Sequence, residues 1–553
     1  MPDFLDFLGI GATTFSSVDG FNAKTNPDSA NFYDFNALIG SGPFKGEQID
    51  VSQFAVYAQD EFQMSEALKL TYGLRVDIPI YETTPIENPF STGLTLLDEN
   101  DEPEVVDQAK LPGSTPLYSP RIGFNYDVNN DRSFQIRGGT GVFTGRVPFV
   151  WIGNVISNPG ANPNLFSPFG GPITADENVI DDGSGRHEEG KSVLQQSFDV
   201  NGMVDDFKWP QVWTTDLAVD KQLPGNMLGT IEFVYGKDLN AIYMRNADLV
   251  KPVRFLEDGR PYYTDANGNF ELNPDGGAGV YVIDNTNEGF NMTLTGQLRK
   301  VFDNGLAGSI AYTYLKAENN LKSTEIASVL WQNQPVQGDP NTPIVGSSEF
   351  GNPHRIIGSM NYRKNWTGSQ STSFGLVFEM AQGNRFLASG GNRYSFIYSG
   401  DVNGDGYGGN DLIYIPKAEN DINLADPTQW AALNAFIEQD DYLSKNRGKI
   451  AERMGAINPW YTNIDLRTLH DFSFGERTLQ FSLDISNVMN LISSSWGVRQ
   501  IASPAATSPL TLIGFVDGAG EPILDFTGPS ETYVDDLSLF SRWQVQVGLK
   551  LMF

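Results

Sequence analysis

Arg542–Phe553, RWQVQVGLKLMF, alternates without a break: Trp543, Val545, Val547, Leu549, Leu551 and Phe553 fall on one side, Arg542, Gln544, Gln546, Gly548, Lys550 and Met552 on the other. A period of two with large apolar groups on one side is the pattern of a half-buried β-strand. The stretch is longer than the roughly 5–6 residues of an ordinary soluble strand. It matches the ~9–11 tilted residues with which a strand crosses a bilayer. It also ends on an aromatic residue, Phe553, where a soluble domain would fray and expose it. On this stretch alone, the closing strand of a soluble sandwich stays open as the alternative.

Composition narrows the choice. The chain has 553 residues, 40% of them apolar and 12% aromatic, with 57 glycines and 31 prolines. Its length suits either several soluble domains or one large barrel. No run approaches the ~20 apolar residues of a membrane helix, so a membrane protein of this sequence has to be a barrel. The absence of cysteine removes disulfides, thiolate nucleophiles and zinc–thiolate sites. The three histidines, His187, His354 and His470, lack ligand-like spacing. A net charge of -31 argues against nucleic acid as a partner, whose phosphates need a basic footprint. The acid gathers in stretches such as Leu97–Asp107 and Asp176–Glu189, which read as hydrated loops. The opening MPDFLDFLGIGATTF puts acids where an export signal needs a basic segment. The expectation is a chain that is not exported or not the complete precursor.

From residue 51 onward one unit repeats: strand, short turn, strand, long loop. The hairpins are Val51–Met64 with Leu68–Ile80, Tyr118–Val128 with Ser133–Thr144, Gln211–Leu223 with Met227–Asp238, Gly289–Phe302 with Leu306–Lys316, His354–Arg363 with Ser371 to about Phe386, and Trp460–Phe474 with Thr478–Met489. Arg542–Phe553 stands last. Asp303-Asn304-Gly305 is a strong hairpin signal. Turns of a few residues alternating with loops of roughly thirty to seventy describe an outer-membrane barrel, with short periplasmic turns and long external loops. Tyr72, Trp213, Phe374, Trp460, Phe472 and Trp543 are candidates for its aromatic girdles. About thirteen strands are visible, an odd number where single-chain barrels have an even one. Asn31–Ile39 is the best candidate for a fourteenth, and residues 1–50 otherwise read as an incomplete loop and strand region before a barrel at 51–553.

Several stretches resemble one family. YAQDEF at Tyr57–Phe62, SPRIGFNY at Ser119–Tyr126, QIRGGTGVFTGR at Gln135–Arg146 and PQVWTTDLAVDKQLPG at Pro210–Gly225 are similar to the barrel of TonB-dependent outer-membrane receptors, most of all the Oar-like group of Bacteroidetes and myxobacteria. DVNGDGYGGNDLIYIP at Asp401–Pro416, NIDLR at Asn463–Arg467 and SNVMNL at Ser486–Leu491 fit the same group. The resemblance implies a 22-stranded all-β transmembrane antiparallel barrel in the Gram-negative outer membrane, a plug, and ligand import powered through TonB. Since neither plug nor TonB box is seen, it also implies that the chain is the carboxyl-terminal portion of such a receptor. The partners implied are outer-membrane lipid, the barrel assembly machinery, the TonB system through the absent plug, and an unidentified ligand. Trp543, Leu549, Leu551 and Phe553 would form the assembly signal. A passive channel of about fourteen strands and a barrel-anchored adhesin are the other readings.

No catalytic residue is assigned, and no enzyme is expected. Arg75, Asp77, Arg121, Arg137, Asp465, Arg467 and Asp484 occupy the polar alternate positions and are the candidates for a luminal wall. Asp401, Asn403, Asp405 and Gly406 repeat the first half of a calcium loop, whose alternate oxygens converge on a hard cation. The twelfth position is Leu412, with Asp411 one short, so Asp401, Asn403, Asp405 and Asp411 form a candidate Ca²⁺ site that competes with an Asx-rich turn. Gly185–Ser192, GRHEEGKS, fits a phosphate-loop pattern but carries Glu188 and Glu189 inside it, and Gly404, Gly406 and Gly409 fit a dinucleotide pattern with no βαβ context. Both are read as chance.

Overall fold

The computed structural model describes residues 49–85, 91–157, 200–273, 279–321, 325–349, 351–383, 395–518 and 520–553, together with short strands at 12–15, 33–38 and 165–166. The phosphate-loop pattern at 185–192 and the acidic run at 176–189 lie outside the described residues.

Thirteen strands form one antiparallel sheet in chain order: β1 (Val51–Gln63), β2 (Leu68–Tyr81), β3 (Leu117–Asp127), β4 (Phe134–Thr144), β5 (Gln211–Leu223), β6 (Met227–Asp238), β7 (Phe290–Val301), β8 (Leu306–Asn319), β9 (His354–Thr367), β10 (Gln370–Gln382), β11 (Trp460–Phe474), β12 (Arg477–Ser486) and β13 (Gln544–Met552). A two-residue strand, Gly346–Ser347, extends the loop end of β8. Each long strand pairs with its chain neighbour, because a tight turn or a returning loop leaves it nowhere nearer to go. Glycine makes the tightest turns: Gly225 and Gly305 adopt φ of 77° and 84°, which L side chains rarely reach. No helix among the described residues is long and apolar enough to cross a membrane.

Tyr33–Leu38 is a strand, as its alternation suggests, but it does not add to the large sheet. It pairs with Ala12–Phe15 and Leu165–Phe166 in a separate three-stranded sheet. Among the described residues β1 and β13 each have one neighbour, so the sheet is open at both edges. Both strands run from the loop end to the turn end, and direct pairing between them would be parallel. An antiparallel closure therefore needs at least one strand of the opposite direction between them.

The apolar core is not in the sheet. Nearly all fully buried apolar side chains belong to the long loops, which pack into one another at one end of the strands. One cluster gathers Leu256, Phe396, Tyr398, Leu412, Phe436 and Leu524 around the helix Trp430–Gln439. A second gathers Trp151, Ile152, Trp209, Tyr281, Leu330 and Trp331. The picture of hydrated loops therefore needs correction. Leu97 and Val106 of the acidic stretch are buried, and Glu104 holds a buried arginine.

Candidate functional site

Residues opposite one another in an antiparallel ladder point to the same face, so register alone sorts the side chains. Arg121 stands opposite Gly73 and Gly141, Arg137 opposite Ala218, and Arg467 opposite Asp484 and Gly375. Followed across the sheet, these pairings put Arg75, Asp77, Arg121, Arg137, Asp465, Arg467 and Asp484 on one face, with Thr295, Ser309, Asn361 and Gln480.

The seven are on one wall but not in one place. Arg75 forks onto buried Asp77, Nε to Oδ2 at 2.8 Å and Nη2 to Oδ1 at 2.7 Å, and Gln53 donates to the same Oδ1 at 2.7 Å. Arg137 lies 3.0 Å from Asp220 and 3.4 Å from Glu232, and Thr230 donates to Asp220 at 2.6 Å. Seven strands farther along the sheet order, Arg467 meets Asp484 at 3.2 Å, while Asp465 accepts from the Asn463 amide and the Asn487 backbone N–H. Most of the charge on this wall is thus neutralised in cross-strand pairs. Sequence reading missed Asp220, Glu232 and the Arg355–Glu379 pair at 2.8 Å, because cross-strand register cannot be read from spacing along the chain. Arg121 differs. Its guanidinium lies 6.0 Å from the Phe143 ring and has no ion pair among the described residues. It borders a shallow pocket of about 470 Å³ with Lys69, Arg137, Gly123, Gly139 and Asp216.

At the loop end arginines are sealed in, two of them against carboxylates. Arg245 holds Glu104 by two bonds of 2.6 and 2.7 Å and reaches Asp284 at 3.2 Å. Arg260 holds Asp411 at 2.7 Å and donates to the Leu412 carbonyl. Asp401, Asn403, Asp405 and Asp411 do come together, in a turn whose oxygens are largely occupied. Asp401 accepts from the backbone N–H groups of Gly404, Asp405 and Gly406, and Asp411 from Arg260, Val402 and Asn403. Asp405 accepts from Tyr407 N–H and from the amides of Asn403 and Asn410. Gly404 and Gly406 keep φ of 72° and 91°, and a Cβ at Gly406 would run into the Phe270 ring. Burial, then the neighbouring Asp411 charge, pushes the Asp401 carboxyl up to about 6 and Asp405 upward too. Arg260 pairs with Asp411 and Asp258, while Asp401 and Asp405 have no cation of their own among the described residues, which leaves the turn with an excess of negative charge. No group of three or more His, Asp or Glu side chains arranged for a metal occurs among the described residues.

The opposite face of the sheet is apolar and uncovered. Leu74, Leu549 and Leu551 are 45, 72 and 53% exposed, values that a soluble core would not leave. Aromatic rims border this face at both ends. At the loop end Trp213, Tyr235 and Phe290 form a chain of rings, and His354 lies between Tyr312, Tyr314 and Trp460. At the turn end Phe472 contacts His470, and Trp366 donates to Thr372. A family model described as outer membrane beta barrel domain matches residues 27–508. The chain belongs to the outer membrane beta barrel domain family. Its uncovered apolar face is therefore the surface that meets outer-membrane lipid, and its polar face is the inner wall.

No curated protein matches the chain significantly. Among solved structures, this outer-membrane barrel is similar to the ferric enterobactin receptor PfeA of Pseudomonas aeruginosa, at 10% identity and a TM-score of 0.39, covering 94% of this chain and 49% of that one. It is similar to the siderophore receptor PirA of Acinetobacter baumannii at 11% identity and a TM-score of 0.38, covering 83% and 47%. The outer membrane transporter YddB of Escherichia coli follows at 10% and 0.38, covering 90% and 54%. The chain spans about half the length of each.

Proposed function

We propose that the chain is the wall and the external ligand-capturing loops of a TonB-dependent outer-membrane receptor of the Oar-like type. The observation that carries this reading is the folded body built from the loops. A passive pore needs only short, open connections, whereas these loops bury aromatic clusters and ion pairs of their own at the mouth of a polar wall. Arg121 and its basic pocket give the wall an uncompensated cation to offer a plug or an anionic solute. Further strands would lie between β1 and β13, and a plug would fill the lumen they enclose. Trp543, Leu549, Leu551 and Phe553, outward-facing and exposed, would be read by the barrel assembly machinery.

The receptor extracted from its native outer membrane tests this in planar bilayers. Import through a plugged barrel predicts silence until the plug is removed, then a wide conductance. A steady wide pore from the intact protein would establish a passive channel, and silence that survives plug removal, with binding to cells, an adhesin.

Ca²⁺ at Asp401, Asn403, Asp405 and Asp411 belongs to the same proposal. A cation would neutralise the buried carboxylate excess, but it would have to displace N–H donors that already occupy those oxygens. Calorimetric titration of Ca²⁺ into wild type and Asp405→Ala decides: a heat lost in the variant establishes the ion, and two silent titrations establish a self-bonded turn.

A further inference from the structure

On the lipid-facing side, the strands β5 to β9 enclose a groove of about 570 Å³ with almost wholly apolar walls. Two outward-facing glycines make it. Lys221 stands opposite Gly229, which stands opposite Leu298 and then Ile310. In the next row toward the loops, Val219 stands opposite Ile231, Gly296 and Tyr312 in turn. Without a side chain at 229 and 296, the face is dented where flanking strands carry isoleucine, leucine and tyrosine. A flat apolar face would serve a fluid bilayer as well; a dent serves a chain that stays.

The turn end of the groove is cationic. Lys221 lies on its rim, its ammonium 5.2 Å from the Phe134 ring. Lys300, opposite Met227 one step nearer the turn, reaches over Phe302 at 4.5 Å. Neither lysine has an ion pair among the described residues, and Asp220, beside Lys221 in the chain, is held by Arg137 and Thr230 on the other face. Lysines that lay their stems on aromatic rings at the edge of an apolar band hold their ammonium groups at headgroup depth. An apolar slot ending in two unpaired cations is complementary to one kind of molecule, an acyl chain joined to a phosphate.

We propose that this groove seats one glycerophospholipid of the leaflet at the turn end, with an acyl chain over Gly229 and Gly296 and its phosphate between Lys221 and Lys300. The proposal rests on the outer-membrane assignment and is independent of what the barrel imports.

Native mass spectrometry of the delipidated, detergent-solubilised full-length protein, titrated with dioleoyl phosphatidylglycerol, tests it. Wild type should hold one lipid more tightly than the rest. Gly296→Leu fills the floor, and since nothing lies within 4 Å of a Cβ built there, it leaves the strand intact. Lys221→Gln with Lys300→Gln keeps the slot and removes the charge. The first variant should lose the tight lipid. The second should weaken it about 25-fold, at about fivefold per lysine, and dioleoylglycerol, which lacks the phosphate, should bind wild type no better. Lys364→Gln, which alters a lysine over Trp366 outside the groove, should change nothing. A wild type with no preferred lipid, or groove variants that bind as wild type does, would overturn the proposal.

Discussion

Leu217 and Ala218 are neighbours in the chain and face different solvents. Leu217 is 47% exposed on the apolar face, whereas Ala218 is fully buried on the wall, opposite Arg137 and Glu232. Leu217→Arg should therefore cost about 2–4 kcal/mol, the penalty for a cation near mid-bilayer. Urea-dependent folding into lipid vesicles measures it, and a variant as stable as wild type would contradict the lipid-facing assignment. A different cost applies at Arg245, where the cation itself is sealed in against Glu104 and Asp284. Arg245→Met leaves two carboxylates without their partner, a loss of about 3–5 kcal/mol in the loop body. Faster proteolysis of the loops, with barrel strands still protected, is the expected pattern.

At the scale of the element, strands and loops obey different rules. Every one of the thirteen long strands is legible in the sequence to within a few residues, because one face must be apolar and the other polar along its whole length, and that constraint is written locally. The seven wall candidates share a face for the same reason. Their partners were not legible: that Arg137 meets Asp220 and Glu232 depends on the register of three strands. The loops hid most. Their buried residues are scattered, with no period, and become a core only when segments far apart in the chain meet. Leu97 and Val106 lie among acids and read as solvated. The loop body should also carry its own pH dependence. Burial pushes the Asp248 carboxyl up to about 6 from its ordinary 3.8. The folded state then binds that proton more tightly than the unfolded chain, so stability rises as pH falls from 7 through 6 and levels off near 4. The gain is about 3 kcal/mol. Fully exposed carboxyls such as Asp265 shift the other way and weigh little. Protection factors of the loop amides, corrected for the pH dependence of the chemical exchange rate itself, should rise between pH 7 and 5, and Asp248→Asn should flatten that rise.

For the whole molecule, the two free edges set the question. β1 and β13 run in the same sense, and among the described residues each leaves one edge of backbone groups unpaired, which a bilayer does not tolerate. If the barrel closed through a single intervening strand, their facing edges would lie within two strand spacings, roughly 10 Å. If it is completed by nine more strands, as in a 22-stranded barrel, they are separated by nearly half of the circumference, roughly 48 Å along the wall at that same spacing. A chain without cysteine makes the two cases easy to tell apart. Gln59 and Gln546 both lie on the polar wall, in β1 and β13. Gln59→Cys with Gln546→Cys in the full-length protein, folded in the outer membrane and treated with a rigid thiol cross-linker of about 10 Å reach, should give no intramolecular product. Gln480→Cys with Lys550→Cys, directly opposite one another on adjacent strands of the same wall, should cross-link readily and serves as the control. Efficient cross-linking of the first pair would mean a small barrel nearly closed by the strands described here, and the plugged import receptor would give way to a narrow passive one.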